Sequence, residues 1–142
     1  MRNTAGINNS TTQTLHMSKK AVIIISTFPS EEVAADVAKK LVSSKLCACV
    51  NFAKTRSIYT WNGKLEDQQE FIALFKSTKN TSKKLKTAIA SLHPYEVPEI
   101  MELNISDVSK PYMSWLVAES TNGVTKKRYN ATKRRHTQTN VS

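Results

Sequence analysis

Few side chains in this sequence can do chemistry, and they fall into four groups. Cys47 and Cys49 stand two residues apart, a spacing that puts both thiols on one face of a regular strand. As thiolates they could bind Cu(I) or zinc, and as free thiols they would pack as small buried hydrophobes. The repeated C-x-x-C spacing of a structural metal site is absent. His93 stands directly before Pro94, where an imidazole either ligates a metal or caps the last carbonyls of a helix. His16 and His136 lie in polar end segments and carry no argument. Trp61, Tyr112 and Trp115 are aromatic anchors better suited to packing and interfaces than to base stacking. Lys126 to Arg135, with Tyr129 inside the run, could hold a polyanion electrostatically. No nucleophile, base and orienting group can be picked out as a trio, which argues against a hydrolase and against an enzyme in general.

The elements that must position these groups are legible from periodicity. Ala21 to Ile25 is a continuous apolar, β-branched run, the pattern of a strand covered on both faces. Phe28-Pro29-Ser30 ends it, and Val33, Ala34, Val37, Leu41 and Val42 then recur at helical spacing over 30–44. Glu31 and Glu32 fall in the first turn, where the helix dipole favours them. Leu46 to Phe52 reads as a second strand, continued as extended chain by Arg56 to Trp61. Asn62-Gly63 is a type I′ hairpin signal, so Lys64 to Ser77 is read as a long third strand. Thr81 can cap a second helix whose apolar face is Leu85, Ala88, Ile89 and Leu92, stopped by Pro94. Pro98 to Ile105 is read as strand four. Ser109-Lys110-Pro111 opens a last helix with Tyr112, Trp115 and Leu116 on one face.

That order predicts an α+β fold, a ferredoxin-like βαββαβ sandwich with an additional C-terminal helix. Residues 20–120 form the domain, 1–19 a disordered N-terminal tail and 121–142 a disordered basic C-terminal tail. The formal charge of +10 belongs mostly to the ends. Nine of the 21 Lys and Arg lie in residues 1–20 and 121–142, which hold no acid, so the middle sets 12 bases against 11 acids. Nucleic acid would therefore be a partner only through the basic C-terminal tail. No apolar run approaches the roughly 20 residues of a membrane span, and the N-terminus lacks the apolar stretch of a secretory signal. A cytoplasmic protein is expected. Met17-Ser18-Lys19-Lys20 leads straight into the first strand, which makes Met17 an alternative start.

Three blocks carry a resemblance. Ala48-Cys49-Val50-Asn51, Ser57 to Glu66, Glu70 and Lys76-Ser77 form the first; His93-Pro94-Tyr95-Glu96-Val97-Pro98-Glu99 the second; Tyr112-Met113-Ser114-Trp115-Leu116 the third. Together they resemble the CutA divalent-cation-tolerance family across residues 21–118. The resemblance implies a homotrimer with clefts between protomers, a link to divalent metal tolerance and copper binding, and no established reaction. It places Tyr59, Trp61, Lys64, Glu66, Glu70, Lys76, Tyr95, Glu99, Tyr112 and Trp115 at an inter-subunit cleft, and points to His93 and Cys49 as metal residues. Two departures weaken the copper reading. Members regarded as copper binders carry a cysteine late in strand one and a His-His pair before Pro-Tyr, where this chain has Ser26 and Leu92. The expected function is a non-catalytic trimer that binds copper, another divalent metal or a small ligand. The alternative is a trimeric scaffold that presents basic tails to nucleic acid or other polyanions.

Overall fold

The computed structural model describes residues 20–122. The two tails, apart from Thr121 and Asn122, and the Met17 start lie outside the described residues. Four strands and three helices follow in the order β1 (Ala21–Phe28), α1 (Glu31–Ser43), β2 (Cys49–Trp61), β3 (Lys64–Thr78), α2 (Lys79–Leu92), β4 (Met101–Asn104) and α3 (Lys110–Glu119). The strands form one antiparallel sheet in the order β2-β3-β1-β4. This is the expected α+β sandwich with its extra helix.

Side chains at paired positions share a sheet face. Val22, Ile24 and Phe28 of β1 stand opposite Ser77, Phe75 and Phe71 of β3, and their face packs under α1 and α2 with Val37, Leu41, Leu85 and Ile89. The alternate residues Ile23 and Ile25, with Ile72 and Leu74 across from Thr27 and Ile25, form the second face. They are only half buried, so the expectation of a first strand covered on both sides fails in a lone chain. Met101 and Leu103, paired with Ile25 and Ile23, extend this face at 49% and 48% exposure.

β1 pairs with β3 only from Phe71 onward. Residues 64–70 pair with β2 alone and form a two-stranded ribbon of about seven rungs, roughly 23 Å long. Its tip is the predicted turn, with Asn62 at φ 50° and Gly63 at φ 75°, the positive values that a type I′ turn requires.

Boundaries differ from expectation where tertiary contacts decide them. Helix α2 begins at Lys79 directly out of β3, with Thr78 as its N-cap residue. Thr81 is therefore not the cap. It is buried inside the first turn, and its hydroxyl donates to the Ser120 carbonyl at 3.1 Å. β2 starts at Cys49 rather than Leu46. β4 is four residues long and pairs with Val22 to Ile25 of β1, and the Ile105 N–H beyond it donates to the Ala21 carbonyl at 3.1 Å. On α3, Leu116 alone is buried, beside Ala21 and Ala48, with Ile105, Val108 and Met113 packed on them. Tyr112 and Trp115 do not join it.

Helix α1 closes on a hydrogen-bond pair, Leu46 N–H to the Leu41 carbonyl (3.1 Å) and Lys45 N–H to the Val42 carbonyl (3.0 Å). That is a Schellman motif, and Lys45 at φ 62° fills the left-handed position that glycine favours. Helix α1 opens on Ser30, whose hydroxyl accepts from the Val33 amide at 3.2 Å.

One core residue runs against the pattern. Ser26 is fully buried between Ile24 and Phe28, and its hydroxyl has no hydrogen-bond partner among the described residues. An unpaired buried hydroxyl costs about 1–3 kcal/mol. Ser26→Ala should therefore raise the unfolding free energy by about 1 kcal/mol, read from urea denaturation midpoints at unchanged slope. A drop instead would mean that the hydroxyl has a partner. The position faces the helix-covered core, so a cysteine there would be out of reach of solvent metal.

Candidate functional site

The end of the sheet that carries the ribbon also carries the segment after α2, and the two are tied together through His93. Its Nδ1 accepts the Tyr95 backbone N–H at 3.1 Å. A nitrogen that accepts carries no proton, so Nε2 holds it and donates to the Thr27 carbonyl at 2.9 Å. The ring stacks on Phe28 with centroids 4.6 Å apart. Both ring nitrogens are thus in use, and the ring bonds a strand carbonyl rather than the carbonyls of its own helix. Burial holds the imidazole below its ordinary pKa of 6.5, against the opposing pull of the Thr27 carbonyl and the Glu70 charge.

The sign of the pH effect follows. A base whose folded pKa is depressed stabilises the fold fully above its unfolded pKa and less as pH falls through the folded value. Melting temperature should decline from pH 7 to pH 5, and His93→Gln should melt lower at pH 8 with a shallower decline. An unchanged slope in the variant would assign the acid sensitivity to another group.

His93 fixes Tyr95, and Tyr95 fixes Glu70. The phenol donates to Glu70 Oε2 at 2.8 Å, and burial together with that bond pushes the Tyr95 pKa up. Glu70 is a carboxylate only 6% exposed, on the half-covered sheet face two rungs beyond Ile72. Glu99 lies close enough for the Glu70 charge, after burial, to raise its pKa. These groups line a cleft of about 850 Å³ whose walls also include Tyr59, Trp61, Glu96 and Thr27. Three carboxylates and two phenols face it, and among the described residues no Lys, Arg or His side chain lines it.

Five of the expected cleft residues are therefore together: Tyr59, Trp61, Glu70, Tyr95 and Glu99. Lys64 and Glu66 sit on the ribbon opposite Trp61 and Tyr59 without lining the cleft, and Glu66 accepts from Gln68 Nε2 at 3.3 Å. Lys76, Tyr112 and Trp115 form a separate group at the other end of β3. There the Lys76 ammonium lies 6.0 Å from the Tyr112 ring, and the Tyr112 and Trp115 rings are 5.5 Å apart. Glu96, Ser57 and Gln68 line the cleft without having been singled out. Glu96 lay inside the His93–Glu99 block, and Ser57 two residues before Tyr59 on the same strand face.

The metal residues are not brought together within one chain. Cys49 pairs with Lys76, whereas His93 bonds the carbonyl of Thr27, which pairs with Ile72. Four rungs separate the two levels, about 13 Å along the sheet. Nor do the cysteines share a face. Cys47 precedes the strand, packs in the helix-side core, and has its thiol pKa pushed up to about 12, chiefly by burial and then by Cys49. Cys49 begins the strand, its thiol 3.7 Å from Asn51 Oδ1. Among the described residues no group of three or more His, Cys, Asp or Glu converges where a metal ion could sit. One protomer alone does not fit a metal centre. Among the described residues, no helix is long and apolar enough to cross a membrane.

Comparison with known proteins gives this arrangement its context. Residues 22–119 match the CutA1 divalent ion tolerance protein family. The divalent-cation tolerance protein CutA of Thermus thermophilus is 44% identical over 95 residues, covering 66% of this chain and 92% of the relative. The Pyrococcus horikoshii protein is 38% identical over 99 residues, covering 70% and 97%. The crystal structure of CutA1 from Pyrococcus horikoshii superposes with a TM-score of 0.68 at 37% identity, over 70% of this chain and 97% of that one. A CutA structure from Archaeoglobus fulgidus gives 0.69 at 30% identity, over 70% and 98%. The name of these relatives describes a tolerance and specifies no reaction. The chain belongs to the CutA1 divalent ion tolerance family.

Proposed function

We propose that this chain acts without catalysis, as a homotrimer whose clefts bind a cationic ligand, a divalent metal ion foremost. The observation that carries this reading is the cleft itself. Glu70, Glu96 and Glu99 face it, no base among the described residues lines it, and the Glu99 carboxyl is pushed toward its neutral form by burial and then by the charge of Glu70. A positive charge would relieve that repulsion, and carboxylate and phenol oxygens suit hard divalent ions. Copper held by His93 and Cys49 is the weaker choice, since both nitrogens of His93 are occupied and the thiol lies four rungs away.

The trimer enters because one chain does not complete the ligand set. The half-exposed apolar face of Ile23, Ile25, Ile72 and Leu74, continued by Met101 and Leu103, supports self-association. A neighbouring copy then supplies the missing wall and donors.

Calorimetric titration with Mn²⁺, Zn²⁺ and Cu²⁺ tests this. The Glu70→Gln/Glu99→Gln variant should lose affinity at least about tenfold, the scale of one charged contact. Binding should also weaken as pH falls, because protons compete for Glu99. If a His93→Ala/Cys49→Ala variant loses binding and the glutamate variant keeps it, the site is at the histidine and the thiol instead.

A further inference from the structure

The cleft has more room, and more kinds of wall, than a bare metal ion uses. Its volume of about 850 Å³ falls among small-molecule sites, roughly 300–1,000 Å³, whereas one water molecule takes about 30 Å³. It is also long. Thr27 and Glu70 line one end, Ser57 and Gln68 the middle, and Tyr59 and Trp61 the other end. Strand alternation puts Ser57, Tyr59 and Trp61 on the face that Glu70 shares. Glu70 pairs with Thr55, so Trp61 stands six residues farther along β2, roughly 20 Å away.

The chemistry changes along that length. At the inner end are carboxylates: Glu70, which accepts from the Tyr95 phenol at 2.8 Å, and Glu99 near it. At the outer end are two aromatic rings, Tyr59 and Trp61, 39% and 47% exposed. Pro94, Val97 and Pro98 supply apolar wall. Gln68 spends its Nε2 on Glu66 and keeps its Oε1 as an acceptor. Lys64, across the ribbon from Trp61, does not line the cleft. Neither ring packs on a hydrophobic core of the protomer. A metal ion among the carboxylates would leave both rings idle.

A ligand that uses both ends carries positive charge at more than one point and is slim and apolar between them. Carboxylates hold an ammonium group through charge-assisted hydrogen bonds. The face of an indole or phenol ring attracts a cation through its quadrupole. An alkylamine is charged at neutral pH, since its pKa resembles that of lysine, about 10.4. We propose that the cleft binds a linear aliphatic polyamine, with one ammonium at Glu70 and Glu99, another against the Tyr59 and Trp61 rings, and the methylene chain along Pro94, Val97 and Pro98. This rests on the reading of the cleft as a cation site and names an organic class of cation for it.

Calorimetry on the full chain at physiological salt tests the proposal with spermine, with the terminal diamines of octane and of propane, and with Mn²⁺. The two diamines carry the same charge and differ only in reach. The octane diamine should bind about tenfold more tightly than the propane diamine, because only the longer one meets carboxylates and rings together. Tyr59→Leu/Trp61→Leu keeps apolar side chains at both positions and removes the ring faces. It should weaken spermine and the octane diamine about fivefold or more and leave Mn²⁺ affinity at the parent value, which also reports an intact carboxylate end. Equal affinity for the two diamines, or parent affinity for spermine in the ring variant, would overturn the proposal. Binding of Mn²⁺ with none of spermine would overturn it alone and leave the cation reading standing. Binding of neither would remove both.

Discussion

Phe28→Ala should lower the unfolding free energy by about 3–5 kcal/mol, the cost of emptying a fully buried aromatic site. Phe28 is completely enclosed. One side of its ring meets Phe75 at 6.2 Å, and the other carries the His93 imidazole at 4.6 Å. The substitution therefore does more than open a cavity. It removes the platform on which His93 lies, and His93 is what holds the Tyr95 amide and, through it, the Tyr95–Glu70 bond. Urea denaturation reads the first effect. Hydrogen exchange at the Tyr95 amide reads the second, and protection there should fall by more than the global loss explains. Phe28→Leu keeps most of the volume and loses only the stacking, so it should cost about 1–2 kcal/mol with a similar loss of protection at Tyr95. Full protection in Phe28→Leu would show that the ring does not position the cleft.

The second large effect concerns assembly. Ile25 and Leu74 form the middle rung of the half-exposed face. In a lone chain each still touches water, so Ile25→Glu/Leu74→Glu should leave the circular dichroism spectrum near that of the parent chain. Buried between copies, the same two carboxylates would be unpaired, at a cost of several kcal/mol each. Sedimentation velocity at micromolar concentration should then report a folded monomer for the variant and, if the proposed assembly forms, a trimer for the parent chain. A variant that remains trimeric would move the contact to another surface. A parent chain that is monomeric would remove the trimer altogether.

What the residues reveal in advance depends on the range over which their physics acts. The hairpin was legible because Asn62-Gly63 encodes its own backbone geometry, and the first helix because its apolar spacing and acidic first turn agree. The start of α2 was not, since Thr81 has the chemistry of a cap and only the distant Ser120 carbonyl shows that its hydroxyl is spent elsewhere. The site shows the same division. The His93–Glu99 block and the Tyr59–Trp61 pair could be picked out because they are local motifs. Glu66 and Glu70 share a face of β3; that Glu70 joins them while Glu66 does not depends on position along the ribbon and on how far the Tyr95 phenol reaches. The position of His93 before Pro94 leaves a metal and the last helix carbonyls open as its partners, and its two nitrogens are hydrogen-bonded to groups 66 and two residues away. No spacing rule foresees the first of those.

The ribbon formed by residues 64–70 and their partners on β2 has a further consequence. Beyond Glu70 it has no third strand among the described residues, and Leu65 and Ile58 are 76% and 61% exposed on it. Bare edges with apolar side chains invite indiscriminate pairing with any other extended polypeptide. The newly synthesised, unaccompanied molecule is therefore the species most prone to aggregate, and in the proposed trimer the time a chain spends before meeting its own kind would set that risk.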